Sequence, residues 1–260
     1  MQAPLLKIET LDVGYKAGQE RKVVVGTINA TLRAGEVVAL IGLNGAGKST
    51  LLRTLSAFQP PLSGRVEFAK GDVANLSPAE LAKCVSVVLT ENNFATLTVS
   101  ELVALGRTPY TGFLGRLTSE DKTIVTAAME RMGIAHLAAR VVSTLSDGER
   151  QKCLIAKAIA QQTPLMLLDE PTAFLDFRSK VQLFRTLRAL ATDDGKAVVV
   201  STHDIEMALR FANKLWLICD GVLYEGSAQE LAADGLLQRF IDGDGIVYDK
   251  ENNRIEITHI

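Results

Sequence analysis

The fold is decided by EVVALIGLNGAGKSTLLRTLSAF, residues 36–58. Its first seven residues are mostly apolar and end in a glycine, which predicts a buried strand, and the stretch from Ser49 predicts a helix. Between them lies GLNGAGKS, residues 42–49, which matches the phosphate-binding loop pattern G-x-x-x-x-G-K-[ST] in full. The alternative is a plain glycine-rich turn, which the flanking strand and helix disfavour. The stretch therefore predicts an α/β fold around a loop that binds phosphate groups.

The residue types of this loop suit phosphate binding. Glycines let the backbone curl so that several N–H groups point at the phosphates, and the N-terminus of the following helix adds partial positive charge. Lys48 adds a full charge for the terminal phosphates, and Ser49 offers a hydroxyl to Mg²⁺. The residues predicted to contact the phosphorylated ligand here are Gly42, Asn44, Gly45, Ala46, Gly47, Lys48, Ser49 and Thr50.

Strands and helices alternate on the carboxyl side of the loop. From residue 149 the chain reads as helix, strand, helix, strand, helix and strand, which predicts a mostly parallel sheet with helices on both faces. Two strand-like runs precede the loop, and the pattern from about Ser77 to Arg140 is helical. The last stretch, IVYDKENNRIEITHI at 246–260, predicts a hairpin around a polar turn.

Composition disfavours several classes of protein. Lys and Arg number 28 against 30 Asp and Glu, and there is no basic stripe, so a nucleic-acid partner is not expected. The three cysteines are widely spaced and odd in number, which fits a reducing cytosolic setting better than a disulfide framework or a metal site. The start has no signal-peptide pattern, and no run approaches the roughly 20 apolar residues of a membrane helix. If the protein acts at a membrane, we expect it to do so from the aqueous side, through a partner protein.

Two acids end the apolar strand LMLLDE, residues 165–170. Because side chains alternate along a strand, Asp169 and Glu170 start on different faces and can serve different tasks. Asp169 is predicted to hold Mg²⁺ through water, and Glu170 to orient and polarise the water that attacks the phosphate. The alternative is a polar strand end before the turn at Pro171.

Two further motifs are weak when taken alone. LSDGE, residues 145–149, is on its own an ordinary turn and helix cap, but a second helix N-terminus with Ser and Gly makes another anion cradle. One chain already has its own cradle, so this one is predicted to serve a partner's nucleotide. His203 closes an apolar strand at the edge of the sheet where ligands bind in such folds. It is either a structural cap or a contact to the γ-phosphate.

The phosphate loop, LSDGE, LLDEPT, the Leu175-Asp176 pair and STHD occur in one order and at one set of spacings. Together they resemble the ATP-binding cassette (ABC) family over about residues 5–225. The resemblance implies an ATPase with a P-loop NTPase core, an N-terminal antiparallel β subdomain and an α-helical subdomain inserted at about 77–145. It divides the chain into an ATPase domain at 1–225 and a C-terminal extension with a β-hairpin at 226–260.

The resemblance also implies cofactors, partners and further site residues. The cofactors are ATP and Mg²⁺, and Tyr15 stacks on adenine, unless it is only a strand tyrosine. Two chains form a head-to-tail homodimer in which Ser146 and Gly148 of one chain cover ATP held by the other, and Asp176 helps to join the two sites. Catalytic roles fall to Glu170, His203 and Glu91. The expected metal ligands are Ser49, Asp169 and Glu91.

Three residues depart from the family pattern. Glu91 stands where members usually have Gln; it can still bind Mg²⁺ or its water, but an ionised carboxylate cannot donate a hydrogen bond. Asp147 replaces the commoner Gly in the LSDGE cradle and brings a negative charge near phosphate. Ala173 replaces the Ser that many relatives carry before the Leu-Asp pair. None of these changes removes a catalytic group.

A last segment bears on the cargo. Leu97-Thr98-Val99, ELVALGR at 101–107 and Pro109-Tyr110 are similar to importers of iron-siderophore, haem and cobalamin, although the segment also reads simply as an amphipathic helix. We therefore expect an ATPase at the cytoplasmic face of the inner (plasma) membrane, peripheral, working with transmembrane permease subunits and, indirectly, a substrate-binding protein. The alternatives are another transporter class, such as an exporter, or a soluble ABC ATPase acting on nucleic acid.

Overall fold

The computed structural model describes residues 3–18, 20–89, 96–112, 115–243, 245–249, 251–252 and 254–257. The strands are β1 (Leu6–Ala17), β2 (Glu20–Leu32), β3 (Val37–Gly42), β4 (Ser63–Phe68), β5 (Gly71–Asp72), β6 (Val85–Val88), β7 (Leu165–Leu168), β8 (Ala197–Ser201), β9 (Lys214–Cys219), β10 (Val222–Gly226), β11 (Ile246–Asp249) and β12 (Arg254–Ile257). The helices are α1 (Lys48–Leu55), α2 (Pro78–Leu81), α3 (Val99–Ala104), α4 (Ser119–Arg131), α5 (Asp147–Ala160), α6 (Phe177–Thr192), α7 (Ile205–Phe211), α8 (Ala228–Ala233) and α9 (Leu236–Ile241).

One sheet of ten strands organises the fold, in the order β5-β4-β1-β2-β10-β9-β3-β8-β7-β6. The strands β9, β3, β8, β7 and β6 pair in parallel. Every residue of β3, β7 and β8 is buried, as expected for apolar strands of a parallel sheet with helices on both faces. This part of the sheet confirms the predicted α/β fold.

The other end of the sheet is antiparallel. β1 pairs antiparallel with β2 on one side and with β4 on the other, and β4 pairs with β5. Leu6, Ile8, Leu11 and Val13 of β1 all face the core. β2 joins the parallel part through a single parallel bridge between Gly26 and Val222 of β10. The antiparallel strands therefore join the sheet at β10, and β10 and β9 separate them from β3, the strand that leads into the phosphate loop.

The strand β6 corrects the sequence prediction that the chain is helical from about Ser77. Val85–Val88 pairs in register with Leu165–Leu168 of β7 and forms the edge of the sheet. Its run VSVV is rich in β-branched residues, which pack well on a pleated surface, but four residues are too few for a clear alternation. The boundaries 77–145 and 226–260 given above stay predictions.

A buried ion pair fastens the helices that follow β6. The guanidinium of Arg107 donates from Nε to Asp121 Oδ1 at 2.8 Å and from Nη1 to the carbonyl of Ala160 at 2.9 Å. Asp121 also completes a capping box with Thr118 at the start of α4. The backbone N–H of Thr118, the Arg107 guanidinium and the Thr118 hydroxyl lower the pKa of Asp121 from 3.8 to about 2. These contacts join α4 to the end of α5.

The last elements cover the sheet beside β3. Residues of α8 and α9 share a buried apolar cluster with Ile41, Ala208 and Leu217. β11 and β12 pair antiparallel as a separate two-stranded sheet, with Ile246 opposite Ile257 and Asp249 opposite Arg254. Within the described residues, no helix has the length and apolar character needed to cross a membrane.

Candidate functional site

The phosphate loop lies between the end of β3 at Gly42 and the start of α1 at Lys48. Gly47 caps α1 with a φ of 105°, a left-handed conformation that L side chains rarely adopt. A Cβ at this position would lie 2.7 Å from Val24 Cγ1 and 2.9 Å from Val25 Cγ2. The loop therefore packs so closely against β2 that this position excludes a side chain.

The Lys48 side chain folds back over the loop. Its Nζ donates to the carbonyl oxygens of Gly42 at 2.8 Å and Leu43 at 3.2 Å, and the residue is only 5% exposed. Burial lowers the pKa of Lys48, while the negative charges of Glu170 and Asp169 act in the opposite direction. A buried ammonium beside backbone N–H groups suits the binding of a polyphosphate.

A pocket of about 510 Å³ opens at this loop, and we call it the phosphate-loop pocket. Its lining consists of Tyr15, Lys22, Val23, Val24, Asn44, Gly45, Ala46, Gly47, Lys48, Ser49, Thr50 and Glu170. The Tyr15 hydroxyl and the Thr50 hydroxyl are hydrogen-bonded at 2.8 Å, while Tyr15 stays 55% exposed at the mouth. The pocket thus offers phosphate-binding groups at one end and an accessible aromatic ring at the other.

The acid pair at the end of β7 is held by the neighbouring strand β8. Ser201 Oγ donates to Asp169 Oδ1 at 2.6 Å and accepts from the backbone N–H of Glu170 at 2.8 Å. Asp169 is 4% exposed, and Glu170 has a φ of 47°. His203 Nε2 contacts Glu170 Oε1 directly. Asp169, Glu170 and His203 therefore meet at the edge of the sheet that faces the phosphate loop.

The LSDGE motif forms a second pocket. Ser146 caps α5, and Asp176 caps α6 by accepting from the Ser179 N–H at 2.7 Å. A pocket of about 420 Å³ lies between these helix starts, and we call it the LSDGE pocket. Its lining consists of Ser146, Asp147, Gly148, Glu149, Lys152, Phe174, Leu175, Asp176 and Ser179. None of these described residues also lines the phosphate-loop pocket.

The structure sorts the predicted site residues into these two places. Those predicted to contact phosphate or adenine lie in or next to the phosphate-loop pocket, whereas Ser146, Gly148 and Asp176 lie in the LSDGE pocket. The carboxylate of Asp147 pairs with Arg150 Nη1 at 2.9 Å, so its negative charge has a local partner. Glu91 lies outside the described residues.

Sequence reasoning missed two kinds of residue at these sites. Lys22 and Val23 enter the phosphate-loop pocket because β2 pairs with β1, and Lys22 stands directly opposite Tyr15. The pairing register of the two strands would have revealed this. The role of Ser201 follows only from the adjacency of β7 and β8, for which the sequence has no local signal.

Comparison with known proteins identifies the family. A family model described as ABC transporter matches residues 25–173. An uncharacterized ABC transporter ATP-binding protein of Methanocaldococcus jannaschii is 45% identical over 82% of this chain and 73% of its own length. The iron(3+)-hydroxamate import ATP-binding protein of Bacillus subtilis is 35% identical over 96% and 92%. The cobalamin import ATP-binding protein of Halobacterium salinarum is 39% identical over 79% of this chain, which matches 51% of that relative.

Solved structures agree with the sequence matches. A transporter proposed to be of the metal-chelate type, in an inward-facing conformation, has a TM-score of 0.77 at 29% identity, covering 92% of this chain and 89% of the other. A dimeric ATP-binding cassette in a post-hydrolysis state with ADP and Pi has a TM-score of 0.76 at 28% identity, covering 85% and 98%. This chain therefore belongs to the ABC transporter family, and it is a transporter subunit that binds and hydrolyses ATP.

Proposed function

We propose that this chain powers the import of an iron chelate (siderophore), haem or cobalamin through a separate transmembrane permease. One observation carries the proposal: the iron(3+)-hydroxamate import protein of Bacillus subtilis matches 96% of this chain and 92% of its own length. The cobalamin import relative and the segment from Leu97 to Tyr110 support it. The chain then works at the cytoplasmic face of the membrane, and a substrate-binding protein delivers the cargo on the other side.

Nucleotide binding follows from the phosphate-loop pocket. Backbone N–H groups of the loop and the Lys48 ammonium hold the β- and γ-phosphates, and the exposed ring of Tyr15 stacks on the adenine. Tyr15 is positioned for this by its hydrogen bond to Thr50. Because Lys48 already lies against carbonyl oxygens of the loop, its ammonium has little freedom to lose when the phosphates arrive.

A magnesium ion fits the residues present. Mg²⁺ usually keeps several waters and binds one or two protein oxygens together with substrate phosphates. Ser49, at the loop, and Asp169, at the strand end, provide such oxygens, and Ser201 occupies only one of the two Asp169 oxygens. Bound there, Mg²⁺ would neutralise charge on the phosphates. Glu91 is proposed as a further contact to the metal or its water.

Hydrolysis is assigned to Glu170 and His203. Glu170 lines the phosphate-loop pocket and orients and polarises the attacking water. His203 contacts the Glu170 carboxylate, so it holds this group in place and can reach the γ-phosphate from the same side. Phosphoryl transfer needs mainly positioning and charge stabilisation, which these groups supply.

The LSDGE pocket is proposed to close a second chain's site. In one chain its lining is separate from that of the phosphate-loop pocket, so it is free to receive another nucleotide. One solved ATP-binding cassette of this fold is dimeric in two structures. In a head-to-tail dimer, Ser146 and Gly148 of one chain would cover ATP held by the other, and Asp176 would help to join the two sites.

Mixing two inactive variants tests this composite site. Lys48→Ala damages the phosphate loop, and Ser146→Arg fills the LSDGE pocket. Each homodimer then has two damaged sites, whereas the mixed dimer has one site with both lesions and one intact site. We expect the mixture to regain a measurable part of the ATPase activity and to form dimers in ATP. If the mixture shows neither activity nor ATP-dependent dimers, and the Glu170→Gln chain also stays monomeric in ATP, each site is completed within one chain.

Uptake measurements test the cargo. In the organism that makes this chain, replacing it by the Glu170→Gln variant should reduce uptake of one radiolabelled cargo among ferric siderophore, haem and cobalamin to background. Uptake of a labelled sugar serves as the control. Normal uptake of all three cargoes in the variant strain would refute the importer proposal, but it would not affect the conclusion that the chain binds and hydrolyses ATP.

A further inference from the structure

We propose that Lys152 of one chain contacts the terminal phosphate of the ATP bound by the other chain. The proposal rests on the composite site described above and adds a specific cation to it. Lys152 lies in α5 and lines the LSDGE pocket together with Ser146 and Gly148. No other Lys or Arg is among the described residues of that lining.

Helix geometry directs Lys152 towards the cradle. Side chains of an α-helix lean towards its N-terminus, so a long side chain covers the turn before its own Cα. One turn before Lys152 on this helix stands Gly148, which has no side chain; the carbonyl oxygen of Phe174 and Leu175 Cδ2 lie 3.1 Å and 3.4 Å from its Cβ position and border the path. The ammonium can therefore extend along the helix to the groups that would meet a phosphate.

The local contacts of Lys152 are weak. Its Nζ reaches Ser179 Oγ at 3.5 Å, the limit of a hydrogen bond, and the residue is half-buried. In the described part of the chain it forms no direct ion pair with a carboxylate, but, after the backbone and side-chain hydrogen bonds from Ser179, its positive charge also lowers the pKa of Asp176. Lys48, by comparison, is held at 2.8 Å by a loop carbonyl. Lys152 is thus a partly buried cation without a short hydrogen bond in the described part of the chain.

The three carboxylates of the pocket already have partners of their own. Asp147 pairs with Arg150 at 2.9 Å. Glu149 accepts from the Ser146 N–H at 2.9 Å, and Asp176 accepts from the Ser179 N–H at 2.7 Å. These three negative charges nevertheless face the same pocket, so without Lys152 they would repel an incoming triphosphate. Lys152 supplies the one positive side-chain charge among the described residues of this lining, and so reduces that repulsion.

The test measures ATP-driven dimerisation of the Glu170→Gln variant, in which hydrolysis is blocked, with and without the additional change Lys152→Gln. Adding Lys152→Gln should weaken ATP-dependent dimerisation by about tenfold to a hundredfold, the range for loss of a hydrogen bond to a charged group. ATP binding to the single chain, measured at protein concentrations below dimerisation, should not change, because Lys152 does not line the phosphate-loop pocket. Sedimentation velocity measures the first quantity and a fluorescent ATP analogue the second.

Two control variants separate the possible roles of Lys152. Lys152→Arg keeps the charge and should retain most of the dimerisation. Lys122→Gln removes the same charge from the exposed side of α4 and should have no effect.

Three results would overturn the proposed role of Lys152. Unchanged dimerisation in Lys152→Gln overturns the proposal. A loss of the same size in Lys122→Gln also overturns it, because the loss of a positive charge at any surface position would then weaken the dimer. If Glu170→Gln itself forms no dimer in ATP, the composite site fails and the role of Lys152 fails with it. Only that last result bears on the proposed function.

Discussion

The close packing at Gly47 predicts a large effect of a single methyl group. Gly47→Ala must place a Cβ in a left-handed backbone conformation, which costs about 1–2 kcal/mol for an L residue. The same Cβ would lie 2.7 Å from Val24 and 2.9 Å from Val25, and such overpacking costs about 1–3 kcal/mol. We therefore expect the free energy of unfolding to fall by about 2–5 kcal/mol, a large share of the usual 5–15 kcal/mol or so.

Gly45→Ala is the matched control. Gly45 is also left-handed, with a φ of 77°, but no atom outside its chain neighbours lies within 4 Å of its Cβ position. It should carry only the backbone cost, so Gly47→Ala should be the less stable variant by about 1–3 kcal/mol. Chemical denaturation followed by the fluorescence of the single, fully buried Trp216 measures both. Equal stability of the two variants would show that contact with β2 does not fix this loop.

Two further predictions concern single carboxylates. Glu170→Gln should bind ATP with nearly unchanged affinity and hydrolyse it at least about a hundredfold more slowly, since a general base is lost; turnover near normal would exclude Glu170 as that base. The pKa of Asp121 is lowered to about 2, so its carboxylate stabilises the fold above about pH 4, and this contribution is lost as the pH falls towards 2. Asp121→Asn should therefore be less stable than the unsubstituted chain at pH 7 and approach its stability below pH 3, and a stability difference that does not vary with pH would contradict this.

The features that could be predicted from sequence are those encoded in contiguous residues. The phosphate loop needs glycines and a lysine at fixed spacing between a strand and a helix, and all of these lie within residues 36–58. The predicted N-cap at Ser146 likewise depends only on residues 146–149. The alternation of helices and strands was enough to predict the parallel sheet.

The features that could not be predicted depend on which strands become neighbours. β6 was hidden because its four residues lie between helical patterns, and its partner β7 lies about 80 residues further along the chain. Lys22 enters the phosphate-loop pocket only through the pairing of β2 with β1. The order of residues along the sequence also does not show that Asp176 lines the same pocket as Ser146 and not the phosphate-loop pocket.

The hydrogen bonds of Ser201 determine when the side chain of Asp169 loses its conformational entropy. Its hydroxyl donates to Asp169 and accepts from the Glu170 N–H, and the serine itself is fully buried. The rotational freedom of the Asp169 side chain is therefore surrendered when β7 and β8 pair during folding, and it is not surrendered again in each catalytic cycle. Ordering of this acid can then contribute little to the activation entropy of any step in which its carboxylate takes part.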